Sequence, residues 1–410
     1  MKTRISPLLK PLLLFTAMFA AMGGPSLAPA LPAIKEAYHE IPDIEFWTKW
    51  LVSISGLFAA MGAPLFGWLS DKWDRRKALI LGLGMWGVFG SSGMFEQPFW
   101  SLLAARAALG LSLGGLLAAN SALIADSFKA VERRRMMGAQ STSTSAGVIL
   151  SLVVSGFLAD IHWHWAFSIY LLALAVLPLA LHTSVPTAKP HEQDKSKKAS
   201  PLSGSFLLVC FFAILGMAAF NIIPTQIPFF LQQEHYFAST HMGLVLTILP
   251  ITSGITGRLY AYISQHFKLW NMFVLSGTLM FLGFGLVSVS TTPLMIILGL
   301  GLVGMGTGSA MPHVNVIIST IVPGRAVGRA LGILAGCKFF GLFASPLIMQ
   351  PALTQWDYRG MFCFGGALLL LAALFLAIVG PVMLARDVSA GRCVPEQPDH
   401  GINQNTPGEA

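Results

Sequence analysis

Four ionisable side chains stand inside otherwise apolar stretches of this chain: Arg106, Arg258, His313 and Lys338. Placing such a group in hydrocarbon costs several kcal/mol, so each is a candidate for work on a solute or a proton. Lys338 follows Arg329 by nine residues. At ~1.5 Å per helical residue that is ~13 Å, near the middle of a hydrocarbon core ~30 Å thick. A buried ammonium must lose its proton, find carbonyls and water, or meet an anionic solute. Arg106 lies ~10 Å into its stretch. It can serve a substrate or a proton path, or reach outward to water. Arg258 is close enough to an end for its long side chain to do the same. His313 follows Pro312. It is either a satisfied core histidine or the one side chain at this depth whose ordinary pKa suits proton exchange.

Neutral polar groups accompany these cations: Asn120, Gln140, Thr144, Asn221, Gln226 and Asn315. Acids do not. Asp71, Asp126, Asp160, Glu96 and Glu234 fall at the ends of apolar stretches or in the connections, so no deep carboxylate is available to carry a proton. Cations at depth without acids suit a solute bearing a carboxylate or phosphate, with His313, Arg106 or the solute itself handling the proton.

Other chemistries find no assembled site. The nearest approach to a phosphate-binding loop, GILAGCKF at 332–339, has Cys in the wrong place and lies within an apolar stretch. His162 and His164 stand near Asp160, but Trp163 and Trp165 make the segment an interfacial aromatic belt. Cys210, Cys337, Cys363 and Cys393 have neither metal-ligand nor paired spacing and read as small apolar fillers. We therefore expect no catalytic residue, metal or cofactor, and no enzyme activity.

The elements that position these groups are long and apolar. The 410 residues are 54% hydrophobic and only 11% charged, and twelve stretches, near 11–34, 48–69, 78–95, 99–125, 137–158, 164–182, 204–231, 242–263, 270–290, 294–319, 330–350 and 361–385, each approach the ~20 residues a spanning helix needs. Short polar connections argue against a barrel. The first stretch ends in Ala28-Pro29-Ala30 behind Lys2, Arg4 and Lys10 and has the outline of a signal peptide. Its removal would break the repeat described next, so it is counted as a span.

Twenty of the 26 Lys and Arg residues fall on one side of this threading and only Lys35, Lys49 and Arg359 on the other. That bias places both termini in the cytoplasm, and it accounts for the net charge of +8 as topology rather than as a nucleic-acid surface.

Sliding the second half over the first by 190–195 residues aligns Gly67 with Gly257, Gly110 with Gly304, Gly114 with Gly308, Gly138 with Gly332 and Phe167 with Phe362. The expected fold is thus an all-α membrane protein with 12 transmembrane helices in two pseudo-symmetric six-helix bundles, 1–181 and 204–386. A cytoplasmic linker at 182–203 joins them, and a disordered cytoplasmic tail, 387–410, follows. Repeated halves let a transporter place one site at their interface and open it alternately to each side.

Several motifs carry a family resemblance. GWLSDKWDRRK at 67–77 is similar to the G-x-L-x-D-x-x-G-R-K signature of the major facilitator superfamily, with Asp74 where the family has Gly. RAALGLSLGG at 106–115, HWHWAF at 162–167 and GMGTGSAMPHVN at 304–315 resemble its fourth, sixth and tenth helices. PSLAPALPAI in the first span resembles the 12-helix efflux branch, although AGVILSLVVSG at 146–156 lacks the Gly-Pro pattern common in drug/proton antiporters.

The resemblance implies a secondary transporter of a small organic solute, a monomer in the bacterial inner (plasma) membrane, coupled to protons and working by efflux. Uptake of an organic anion, or sensing without transport, would use the same fold. It assigns gating to Gly67, Asp71, Arg75, Arg76 and Asp126. Helices one, four, seven and ten line the family's cavity, which brings Arg106, Asn120, Asn221, Gln226, His313 and Asn315 toward the substrate with Lys338 beside them.

Overall fold

A computed structural model describes residues 7–73, 75–128, 130–183, 203–235, 237–322 and 327–389, and among them all regular structure is helical. The first span is broken. Helix α1 (Leu9–Met22) passes through a 3-10 segment, Pro25–Ala30, into Leu31–Ala37 with a bend of 41°. Pro25, Pro29 and Pro32 remove three backbone donors here, which stops the α-helical ladder.

Then follow α2 (Ile44–Lys72), α3 (Arg75–Ser91), α4 (Phe99–Ser127), α5 (Ala130–Ile161) and α6 (Leu171–His182), the last preceded by a 3-10 turn at Trp163–Tyr170. The second half comprises α7 (Gly204–His235), α8 (Ser239–Ser264), α9 (Asn271–Ser288), α10 (Pro293–Ile321) and a 63-residue helix, Val327–Ser389.

That last helix is two spans. At ~1.5 Å per residue it would reach ~95 Å, three bilayer cores. Its chain turns at Asp357, which has left-handed φ of 55°. The arm before the turn, α11, runs parallel to α7, with Ser345 donating to the Ala218 carbonyl and a Cβ on Gly341 falling against Ile214. The arm after it, α12, runs antiparallel, with Phe362 against Phe230 and Gly365 against Ile222. Among the described residues, nine helices are long and apolar enough to cross a membrane, ten with the bent first pair. Separating α11 from α12 and including the 17-residue α3 completes twelve.

The internal repeat is realised atom by atom. A Cβ on Gly110 would stand 2.5 Å from the Ser55 carbonyl oxygen, and one on Gly304 2.7 Å from that of Leu249. Gly114 meets Ala59 and Ala63, while Gly308 meets Ser253. The pairs α2–α4 and α8–α10 therefore cross at the same aligned glycines, close enough for backbone to touch backbone. Within the spans, Leu150, Phe157, Leu282, Leu371, Ile378 and Val382 are exposed, the apolar surface that lipid requires. The chain is an integral membrane protein.

One of the expected boundaries shifts. The tail was expected from 387, but α12 runs to Ser389, where the Asp387 carboxylate accepts bonds from the Ser205 amide and hydroxyl and caps the start of α7. Residues 390–410, and residues 184–202 of the expected linker, lie outside the described residues.

Candidate functional site

The helix ends divide by charge. Lys10, Lys72, Arg75, Arg76, Lys268, Arg329 and Arg386 mark one end, called here the basic end. Glu36, Glu40, Glu45, Glu96, Asp160 and Glu234 mark the opposite, acidic end. The three cations at the acidic end are all engaged by carboxylates: Lys35 and Lys49 by Glu45, and Arg359 by Glu234.

The halves meet at the acidic end and part at the basic end. On one flank α2 presses on α11. A Cβ on Gly56 would lie 2.9 Å from the Phe339 carbonyl oxygen, Trp50 stacks edge-on against Phe343, and Asn221 of α7 donates to Ser53 at 2.8 Å and to the Leu342 carbonyl at 2.9 Å. On the other flank α5 meets α8 at Gly156 and Gly243. There Asp160 accepts the Ser239 and Thr240 amides at 2.6 and 3.0 Å, capping α8 from the other half. Toward the basic end the same helices separate: a Cβ on Gly67, Gly138, Gly332 or Gly336 would meet nothing within 4 Å.

The opening is a cavity of about 700 Å³ among α5, α8 and α10. Ser141, Thr142 and Ser145 form a hydroxyl ladder on α5, faced by Ser253 and Arg258 of α8 and by Asn315 of α10; none of the described lining residues is acidic. The Thr142 and Ser145 hydroxyls donate to the Gly138 and Ser141 carbonyls of their own helix. Lys338 of α11 donates to Asn315 Oδ1 at 3.1 Å and stands half-buried at the cavity's edge. The lining offers an anionic group a guanidinium, hydroxyls and an amide, with an ammonium at the cavity's edge.

Of the residues expected to bind substrate, Lys338 and Asn315 come together here. Arg106 does not join them. It is fully buried within the first half, donating to the Tyr170 hydroxyl at 2.8 Å and the Gly90 carbonyl at 3.3 Å, with the rings of Phe167 and Tyr170 4.8 and 4.7 Å away. Tyr170 in turn bonds Ser26 and the Gly23 carbonyl. Arg106 thus neither reaches outward nor faces the cavity, because a phenol, a carbonyl and two ring faces stabilise its charge in place.

His313 is also enclosed. Its Nε2–H donates to the Leu269 carbonyl at 2.7 Å, so Nδ1 of the neutral ring accepts from the Tyr260 hydroxyl at 2.9 Å. Both nitrogens are satisfied, as in the core-histidine alternative. Asn221 lies in the acidic-end seal, and Gln226 is buried with its Oε1 unpartnered. Asn120 ties α4 to α1 through Leu13 and Thr16.

The expected gating cluster lies within the first half. Arg75 pairs with Asp126 and donates to the Ala122 carbonyl at 3.0 Å, joining α3 to α4, while Arg76 reaches the carbonyls of Ala180 and Leu181 on α6. Gly67 faces the open cleft; the side chain of Asp71 lies outside the description.

Sequence reasoning missed three features. Arg258 was assigned to water on depth alone, yet it lines the cavity. Glu45 sits in a connection by hydropathy, yet it gathers Lys35, Lys49 and Tyr358. Cys210 and Cys337, far apart in sequence, share one apolar cluster between α7 and α11, one residue from Lys338. An alternation of Ser and Thr at 141–145 was the one available signal for the cavity wall.

Comparison with known proteins gives a consistent family. The family model for the Major Facilitator Superfamily matches residues 13–238 and 208–392. The multidrug resistance protein MdtG of Klebsiella pneumoniae is 25% identical over 380 residues, covering 88% of each chain. The multi-drug resistance efflux pump PmrA of Streptococcus pneumoniae is 24% identical over 338 residues, covering 78% of this chain and 82% of that one. Among solved structures, a D-xylose-proton symporter superposes with a TM-score of 0.73 at 17% identity, over 90% of this chain and 96% of the other. A POT family transporter in complex with a thioalcohol-conjugated peptide does so with 0.78 at 11%, over 91% and 96%. The structural likenesses establish the shared fold.

Proposed function

The chain belongs to the Major Facilitator Superfamily and is a secondary transporter; on that premise we propose that it exports an amphipathic organic anion in exchange for protons. The observation that carries this reading is the cavity of about 700 Å³, with no acid among its described lining residues, open at the basic end and holding Arg258 and Asn315, with Lys338 at its edge. The excess of cations at that end supports a cytoplasmic position for it in a bacterial inner membrane, from which the solute loads from inside. Relatives named for multidrug resistance and efflux support export as the direction.

Alternating access then follows from the two flanks. Separating α2 from α11 and α5 from α8 at the acidic end, while bringing them together at the basic end, carries the cavity across the membrane. Arg75, Arg76 and Asp126 hold α3, α4 and α6 as one body during that rocking.

Topology is checked with reporter fusions. Alkaline phosphatase joined at Lys195 is expected to be inactive, and active when joined in the loop after Glu234; the reverse pattern overturns the orientation. Substrate class is checked by efflux from loaded proteoliposomes against a panel of organic anions and cationic dyes. Lys338→Ala is expected to weaken binding of the transported anion about tenfold or more, since a hydrogen bond to a charged group contributes ~1.5–3 kcal/mol. Lys338→Arg should restore part of it. A monodisperse Lys338→Ala protein with unchanged affinity for its anion removes the lysine from the site.

A further inference from the structure

The acidic-end seal contains a group to which neither the cavity nor the basic-end cluster assigns a role. Glu45, at the start of α2, receives donors from three directions: Lys35 from the α1 extension at 2.6 Å, Lys49 from its own helix at 3.1 Å, and the Tyr358 hydroxyl from the start of α12 in the other half. Lys49 is almost wholly buried, its ammonium over the rings of Phe229 and Tyr358 at 5.5 and 5.7 Å, while Glu45 retains about a third of its side-chain exposure. Lys35 lies over Phe229 as well. The neighbouring cation, Arg359, is already bound by Glu234 and by the Ser288 and Ser290 carbonyls.

We propose that Glu45 is the external proton acceptor that unlocks this gate. As a carboxylate it accepts the phenol across the two halves and neutralises the ammonium groups beneath it. One proton from external water, added to a carboxylate oxygen, removes that charge and leaves Lys49 buried without a counter-ion. Opening the gate relieves the ammonium by giving it water. The closed state is therefore favoured while Glu45 is ionised and is lost as external pH falls. The proton returns to the same side when the gate reseals, so Glu45 sets when the gate opens and not how many protons cross. The inference rests on alternating access but not on the identity of the solute.

The test reads the gate without any solute, which separates its failure from failure of an efflux assay. Spin labels are placed at Phe95→Cys and Val289→Cys, exposed positions at the acidic ends of the two halves, in an otherwise cysteine-free full-length protein in lipid nanodiscs. Between pH 8 and pH 3.5 the long-distance population is expected to rise. The change falls below about pH 4.5, the ordinary carboxylate range that Glu45 regains once its donors leave, where the ratio to the short one changes by up to about tenfold per pH unit for one linked proton. Glu45→Gln should be shifted to long distances at both pH values with its response flattened, whereas Glu45→Asp should keep a response. Tyr358→Phe, which removes only the bond between the halves, should raise the long-distance population at pH 8 and serves if Glu45→Gln fails to fold. A parent distribution that ignores pH, a Glu45→Gln protein that responds like the parent, or a Tyr358→Phe protein indistinguishable from the parent at pH 8 overturns the proposal.

Discussion

Gly114→Val is expected to leave no monodisperse folded protein on detergent size exclusion, while Gly138→Ala behaves as the parent. A Cβ on Gly114 would fall on the Ala59 carbonyl oxygen and 2.6 Å from the Ala63 amide nitrogen. Neither neighbour is a flexible side-chain end that can swing aside; both are backbone of α2. The two helices must separate along their crossing, which also lifts Gly110 from Ser55 and Gly62 from Leu111. Overpacking at a well-filled site costs ~1–3 kcal/mol, and here the loss spreads over a whole helix pair. Gly138 has open space where its Cβ would go, so the control tests position rather than residue type. A Gly114→Val protein with the parent's elution profile and thermal midpoint would show that α2 and α4 can part at little cost.

Gly67→Leu is expected to fold normally and to transport at least about tenfold more slowly. In the described conformation nothing lies within 4 Å of a Cβ at Gly67, nor at Gly332 or Gly336 on α11. At the acidic end of the same helix pair, Gly56 is already in contact with Phe339. If the basic end closes in the same manner, these glycines become the places where backbones approach, and a leucine there blocks the approach. A barrier higher by ~1.4 kcal/mol is a factor of about ten in rate. Two readouts check it: flux in proteoliposomes, and labelling of Ser141→Cys by a membrane-impermeant thiol reagent from the cytoplasmic side. The expected pattern is low flux with persistently high labelling. Parent-like flux would mean that Gly67 never meets α11.

The architecture was legible because lipid imposes it. Runs of about twenty apolar residues, the placement of Lys and Arg, and glycines recurring at a fixed offset are one-dimensional signals, and each survives into the structure: Gly110 and Gly304, aligned by sequence alone, occupy equivalent crossings. Side-chain direction is not a one-dimensional signal. Depth along a span singled out Arg106, His313 and Lys338, but depth does not say which face of the helix a residue occupies. Arg106 turned toward Tyr170 and His313 toward Tyr260 and Leu269, whereas Arg258, which depth alone gave to water, turned to the cavity. Glu45 was illegible for a different reason. Its partners come from α1, α2 and α12, and no local pattern announces that three distant segments will converge on one carboxylate.

The hydroxyl ladder of α5 bears on how such a carrier changes over generations. Thr142 and Ser145 spend their hydroxyl protons on carbonyls of their own helix, and those carbonyls remain available to the helical ladder when the hydroxyl is gone. Exchanging any rung for alanine, cysteine or valine therefore orphans no partner in another helix, unlike a change at Tyr170 or Asn221, where bonds between helices would be lost. The wall of the cavity is thus decoupled from the frame that holds the protein together. The cavity lining can therefore change through single substitutions along one helix face while stability and the packing between helices are inherited unchanged.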